Sequence, residues 1–275
     1  MSLCGREGFL RSSSFCFHTV METGKYLHVF RWACALLVVS GCGRHGSHTV
    51  PPPEELTLTS ADGVTLAATL YPAGVPHAPG VILIPMRGTG RESWAPFALR
   101  AQRVGYVCLA LDLRGQGDSV SKNGERINFT FTRDNWLGAV KDVETAKNAL
   151  VDRGADSENI VLAGASIGAN LVLHYALRDK NIAAIVLVSP GLDYSGVTTE
   201  KEIVSYGKRP TLLVAAQDDV YAAQTCATLK RMAQGLCELR EYPGSAHGTD
   251  LFTGSTNAME QILLWLKPIV SPNAK

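Results

Sequence analysis

The stretch Asn159–Asn170, N-I-V-L-A-G-A-S-I-G-A-N, decides how the rest of the chain is read. A short apolar run, Ile160 to Ala163, ends in Gly164-Ala165-Ser166-Ile167-Gly168, and a helical pattern from Asn170 to Leu177 follows at once. A strand that stops, a serine at the turn and a helix that starts form the context of a nucleophile elbow. Such a turn brings backbone segments close together, so the positions two before and two after the serine call for glycine, here Gly164 and Gly168. The serine is expected to adopt a strained backbone conformation that holds its hydroxyl above the sheet edge. The first free N–H groups of the next helix then lie beside that hydroxyl.

Working outward, Gly80–Ile84 (G-V-I-L-I) and Tyr106–Leu111 read as buried parallel strands before the elbow, with Ala183–Val188, Thr211–Ala216 and Cys237–Tyr242 as strands after it. Glu55–Ser60 and Val64–Tyr71 flank Ala61-Asp62-Gly63, a hairpin signal. Helical patterns cover Trp94–Val104, Phe131–Arg153, Ala222–Ala233 and about Ser255–Leu266. In the longest, Trp136, Leu137, Val140, Val143, Ala146, Leu150 and Val151 recur at three- and four-residue steps, and Asp134 is the expected N-cap. Residues 192–210 read as a short polar connection. This alternation predicts an α/β fold of three layers, with a mostly parallel sheet covered on both faces. Functional residues in such folds follow the carboxyl ends of strands, and Arg87, Ser166, Asp219 and His247 each do so.

A serine hydroxyl needs a base within hydrogen-bond reach, and the base needs a third group to fix its tautomer. The chain order available is Ser166, then Asp218 or Asp219, then His247. His247 lies in a Gly/Ser-rich loop, outside any apolar stripe. His174 sits eight residues beyond Ser166, about 12 Å along a helix axis, which suits a structural role better than that of a base. Donors for a developing oxyanion are expected at the backbone N–H of Ile167 and in the loop after Ile84, where Arg87 fits best and Met86 second. The Arg87 side chain points either to an anionic substrate or to a solvated surface.

Five pieces together resemble the α/β-hydrolase superfamily over roughly residues 54–270: G-V-I-L-I-P-M-R-G-T-G at 80–90, Y-V-C-L-A-L-D-L-R-G-Q-G-D-S at 106–119, G-A-S-I-G at 164–168, Q-D-D at 217–219 and S-A-H-G at 245–248. One departure is Pro85-Met86 where members often carry His-Gly. The resemblance implies an α/β-hydrolase fold with an eight-stranded sheet whose second strand is antiparallel. It favours Asp219 over Asp218 as the acid and implies a Ser166–Asp219–His247 triad with no metal or cofactor. The implied reaction is cleavage of an ester through an acyl-enzyme, as in a carboxylesterase acting on small or medium substrates. A short-peptide or amide hydrolase, prolyl-peptidase-like, is the enzymatic alternative, and a cell-envelope binding protein on a retained fold is the non-enzymatic one. Many relatives insert a lid between the strands that here end near Ser189 and begin near Thr211. About 20 residues separate these strands, so an open, shallow cleft without a large cap is expected.

Residues 1–42 read as a targeting segment. Trp32–Val39 (W-A-C-A-L-L-V-V) is eight residues long, too short to span a bilayer but suited to the apolar part of a signal peptide, with Lys25 and Arg31 ahead of it. Val39-Ser40-Gly41-Cys42 resembles a bacterial lipobox, which implies lipidation at Cys42 and a place in the cell envelope. Met21 is an alternative start. Residues 43–53, with three consecutive prolines, read as a flexible tether. The 275 residues, 46% of them hydrophobic, permit one large core or at most two small domains. A formal charge of +1 without a long basic run argues against a nucleic-acid partner. The seven cysteines include no C-x-x-C pair, so buried thiols are expected in the body, with an isolated disulfide left open. Oligomeric state is not legible.

Overall fold

Four consecutive apolar runs, too uniform to leave a face to water, form the middle of the sheet. In the computed structural model, which describes residues 50–254 and 257–272, the long strands are β1 (Glu54–Thr59), β2 (Val64–Tyr71), β3 (Pro79–Ile84), β4 (Val107–Leu111), β5 (Asp156–Ala165), β6 (Ile182–Val188), β7 (Thr211–Ala216) and β8 (Cys237–Tyr242). The helices are α1 (Ala95–Arg103), α2 (Arg133–Gly138), α3 (Val140–Asp152), α4 (Ile167–Arg178), α5 (Glu200–Tyr206), α6 (Val220–Met232) and α7 (Ala258–Leu266). The strands lie in the order β1-β2-β4-β3-β5-β6-β7-β8. All pairings from β4 to β8 are parallel, whereas β2 runs antiparallel to both β1 and β4. This is the α/β-hydrolase fold, a three-layer sandwich with a mostly parallel sheet.

The sheet differs from the expected eight strands by a short hairpin. Ser121–Lys122 pairs with Glu125–Arg126 and adds to β2 at Val64 and Thr65. β4 reaches β2 only over Ala68–Tyr71, so the start of β2 is left open for this arm. Two-residue strands carry no periodicity, which is why the sequence does not announce them.

Alternate side chains of each central strand enter separate cores. Ile82, Ile84, Leu109, Leu111, Ile160 and Leu162 face α3 and α4, while Val81, Leu83, Ala110, Val161 and Ala163 face α1 and α7. Trp94 and Phe97 are fully buried on the second side and meet Phe252 at 5.2 and 6.0 Å between ring centroids. Cys108, Cys226 and Cys237 are free thiols, so none of the described cysteines forms a disulfide.

The long helical pattern of Phe131–Arg153 is interrupted. α2 ends at Gly138, α3 begins at Val140, and Ala139 serves as the joint. Glycine is a poor helix former, and Trp136 of α2 is buried in the core. Thr132, not Asp134, is the N-cap; its hydroxyl accepts from the Asn135 N–H at 3.5 Å, while Asp134 extends to solvent beside Arg133. The last helix is described over Ala258–Leu266, with Asn257 as its N-cap; positions 255 and 256, where the expected start falls, are outside the described residues. Residues 192–210 hold a hairpin, Asp193–Tyr194 with Val197–Thr198, followed by α5.

D-L-R-G-Q-G-D-S at 112–119 proves to be a structural frame. The fully buried Asp112 carboxylate accepts from the Arg91 N–H at 2.5 Å and the Asp118 N–H at 2.9 Å, and pairs with the Arg91 guanidinium. Ser119 donates to the Asp112 carbonyl and accepts from the Ala67 N–H, fastening the turn to β2. Arg114 reaches Asp142 of α3 at 2.6 Å and Asp62 of the β1–β2 hairpin at 2.8 Å. One guanidinium thus ties three elements remote in sequence. Its hydrogen bonds hold the Asp62 carboxyl well below the usual carboxylate range. That contribution to stability is complete above the unfolded carboxylate range and is lost as the pH falls through the lower folded value.

Replacing Arg114 with Met leaves Asp142 buried without its counter-charge. A loss of roughly 3–5 kcal/mol is expected, read as a lowered urea midpoint. An unchanged midpoint would contradict the structural role given to this arginine.

Candidate active site

The elbow forms where the strand order reverses. β3 lies beside β4 on one edge and β5 on the other, with Ile84 in register with Gly164. The loop leaving β3 and the turn leaving β5 therefore emerge side by side at a topological switch point. Ser166 joins β5 to α4 with φ 53° and ψ −122°, a left-handed conformation that a non-glycine residue adopts only under constraint. A side chain at Gly168 would lie 2.5 Å from the Pro85 carbonyl oxygen, and one at Gly164 would collide with the Gly168 carbonyl. The two glycines expected from the motif are thus required by backbone contact, not merely by turn flexibility.

The structure brings Ser166, His247 and Asp219 into one hydrogen-bonded line. Ser166 Oγ is 2.8 Å from His247 Nε2, and His247 Nδ1 is 2.7 Å from Asp219 Oδ2. Ser166 is buried to 9% exposure, while His247 is partly open. Asp219 is the N-cap residue of α6, yet its side chain makes no capping bond. It leaves a helix N–H that aspartate usually satisfies and turns to the imidazole instead. Asp218 is exposed and its backbone N–H donates to the Gly244 carbonyl at 2.9 Å, so it helps shape the histidine loop without reaching His247. The Gly248 N–H donates to Ser189 Oγ at 3.0 Å and anchors that loop to the end of β6.

Ile167 is the first residue of α4, and Arg87 lies in the loop after β3. Among the described residues, neither backbone N–H donates to a protein acceptor. The loop is braced around them: Trp94 Nε1 donates to the Ile84 carbonyl at 3.0 Å, the Gly88 N–H to Gln116 Oε1 at 2.5 Å, and Thr89 Oγ1 to the Met86 carbonyl at 3.2 Å. Pro85-Met86 thus supports a formed loop where relatives often carry His-Gly.

A cavity of about 320 Å³ opens over Ser166, lined by Met86, Arg87, Trp136, Ile167, Tyr194 and His247, among others. The expectation was an open, shallow cleft without a large cap, and the structure adds the residues that wall it. Among the described residues, the connection at 192–210 builds no large helical cap, and α5 packs against α4 and α6. Tyr194 and Ser195 of the Asp193–Thr198 hairpin line it, as does Trp136, which packs against Phe129 and Phe131. Asn170, buried in α4, clamps the hairpin by donating to the carbonyls of Gly191 at 2.9 Å and Val197 at 2.7 Å. His174 lies 2.9 Å from the Thr198 carbonyl, which gives it the structural role expected.

Tyr194 and Ser195 were not legible as site residues, because their position depends on these clamps and not on a motif. Tyr194 stands edge-on to His247 with ring centroids 6.3 Å apart and donates to the Ser189 carbonyl at 3.3 Å. Burial pushes its phenol well above the ordinary value, while the neighbouring Ser166 hydroxyl pulls it the other way. Trp136 was visible only as part of an apolar stripe. The described residues contain no cluster of His, Cys, Asp and Glu able to hold a metal.

The model of the serine aminopeptidase S33 family matches residues 81–208, a segment that includes Ser166 but ends before Asp219 and His247. The polyketide transferase grgF of Penicillium sp. is 30% identical over 146 residues, covering 53% of this chain and 47% of that protein. The quorum-quenching protein AidA of Acinetobacter baumannii is 28% identical over 106 residues, 38% of this chain and 33% of the relative. The matched part of this chain therefore spans half or less of each of these relatives. Among solved structures, GrgF aligns with a TM-score of 0.66 at 18% identity, covering 80% of this chain and all of that one. The Pyrococcus furiosus esterase Pf2001 aligns with a TM-score of 0.64 at 17% identity, covering 80% and 91% of the two chains.

Asp219→Asn is expected to slow labelling of Ser166 by a fluorophosphonate by roughly two to four orders of magnitude, whereas Asp218→Asn should stay close to wild type. Equal effects of the two substitutions in a mass-spectrometric labelling assay would overturn the assignment of the acid. The solved structures of GrgF and Pf2001 share the α/β-hydrolase fold with this chain.

Proposed function

We propose that this protein is a serine hydrolase that cleaves esters through an acyl-enzyme, acting as a carboxylesterase on small or medium substrates. The observation that carries this reading is the Ser166–His247–Asp219 line, with both hydrogen bonds formed at 2.8 and 2.7 Å. His247 Nε2 takes the Ser166 proton as Oγ attacks the ester carbonyl, and Asp219 holds Nδ1–H and stabilises the imidazolium. The developing oxyanion is received by the N–H groups of Ile167 and Arg87. His247 then returns the proton to the departing alcohol. Water, deprotonated by the same imidazole, attacks the acyl-enzyme carbonyl and frees the acid and Ser166.

The 320 Å³ cavity lies at the lower end of the range of about 300–1,000 Å³ for small-molecule sites. This size favours a short acyl group. Cleavage of a short peptide or amide is the second reading, favoured by the match to the serine aminopeptidase family model. On p-nitrophenyl esters, acetyl to butyryl chains should outperform lauroyl chains and exceed aminoacyl-nitroanilides. Ser166→Ala should lose turnover by several orders of magnitude. A lauroyl preference would contradict the small-substrate reading, and a nitroanilide preference would favour the peptidase. Retained turnover in Ser166→Ala would remove the serine mechanism.

We also propose that Cys42 carries a lipid anchor in a bacterial cell envelope. This position is outside the described residues, and the reading rests on Val39-Ser40-Gly41-Cys42 after an apolar run. Metabolic labelling with an alkyne fatty acid should mark the wild type and not Cys42→Ser. Equal labelling of both would sink the proposal.

A further inference from the structure

The cleft contains a cation for which the proposed chemistry has no use. The proposed oxyanion role of Arg87 involves only its backbone N–H, and its guanidinium is available for another contact. The side chain lines the same cavity as Ser166. Its Cζ atom stands 5.2 Å from the centroid of the Phe131 ring. Phe131 is stacked on Trp136, with centroids 5.7 Å apart and planes 26° apart, and Trp136 is buried in the core. The cation thus rests on an aromatic shelf that starts in the hydrophobic core. Cation–π contact of this kind restrains a guanidinium without neutralising it.

The charge around it is one-sided. Among the described residues, Arg87 forms no ion pair, in contrast to Arg91 and Arg114, which are each enclosed by carboxylates. The residues lining the cavity include Arg87 but no aspartate or glutamate. The Asp219 carboxylate is turned to His247. A substrate entering this cleft therefore meets one guanidinium, without an ion pair among the described residues, beside aromatic, apolar and uncharged hydroxyl groups and the His247 imidazole. The guanidinium geometry matches a carboxylate bidentately.

We propose that the cleft selects esters carrying a carboxylate a few bonds from the scissile carbonyl, and that the Arg87 guanidinium pairs with it. This rests on the serine-esterase reading above and narrows its substrate class. The reaction is otherwise unchanged: the ester C–O bond breaks, Ser166 carries the acyl group, and the carboxylate takes no part in bond making. The anion lies either on the acyl or on the alcohol portion, because the guanidinium is at the wall of a cavity open to both.

Two matched substrate pairs test this. Mono-p-nitrophenyl glutarate against p-nitrophenyl pentanoate places the charge on the acyl side. 4-Acetoxybenzoate against phenyl acetate places it on the leaving group. In at least one pair, kcat/KM should favour the anionic member by about ten- to a hundredfold, after correction for the intrinsic reactivity of each ester towards hydroxide. That preference should shrink as potassium chloride is added, because the site is open to solvent. Arg87→Met should collapse the anionic-to-neutral ratio towards one, and Arg87→Lys should keep part of it. Fluorophosphonate labelling of Ser166 in each variant confirms that the hydroxyl line is intact. If neutral esters turn over and Ser166 is labelled, but neither pair shows a preference or Arg87→Met leaves the ratio unchanged, the inference alone fails. If no ester turns over and Ser166 is not labelled, the esterase reading fails and takes the inference with it.

Discussion

The contact on which the site depends is between backbones. Gly168 in the first turn of α4 lies directly against the carbonyls of Ile84 and Pro85 at the end of β3. Any side chain there would separate the elbow from the neighbouring loop, and with it Ser166 from Arg87. The close approach also keeps Ser166 in its left-handed conformation, a strain on the order of 1–3 kcal/mol. The surrounding bonds hold it there: the Ser166 N–H donates to the Val188 carbonyl at 2.8 Å, and its own carbonyl accepts from the Ala169 N–H at 2.9 Å. The strained residue is thus fixed by the strand on one side and its own helix on the other.

Around this contact, ordinary stabilising interactions are redirected to the site. Asp219 forgoes the cap of α6 and orients His247. Ser189, at φ 49°, uses its hydroxyl to hold the Gly248 N–H. Asn170 is buried in α4, where its amide would be costly without partners, and that amide bonds to Gly191, just before the hairpin that carries Tyr194, and to Val197 within it. Polar groups in the core of the molecule therefore set the walls of the cleft, while Arg91, Arg114 and their carboxylates fasten the frame behind it.

What could be read from sequence was local or ordered along the chain. The apolar runs gave the central strands, Asp62-Gly63 gave the hairpin, and Gly164 and Gly168 gave the elbow. The order Ser166, Asp218 or Asp219, His247 narrowed the choice, and the fold brings Ser166, Asp219 and His247 together. The break at Gly138–Ala139 was less visible, because the apolar period runs on across it. The Ser121–Arg126 arm was hidden by its two-residue strands. The 320 Å³ cavity was missed because its walls come from residues 86–87, 136, 166–167, 194–195 and 247, which share no spacing.

The sequence by itself determined the alternation of buried strands and helices, the turn at Ser166, and the chain order of Ser166, an aspartate at 218 or 219, and His247. These follow from side-chain period, glycine chemistry and the rule that loops at strand ends carry function. Only the tertiary structure decided that Asp219 and not Asp218 meets His247, that Tyr194 and Trp136 wall the cleft, and that Arg87 rests on Phe131. The reason is physical. A helix or strand is specified by neighbours a few residues away, whereas the direction of a loop side chain is set by hydrogen bonds and packing from elements tens of residues distant. Those partners are assembled only when the sheet closes.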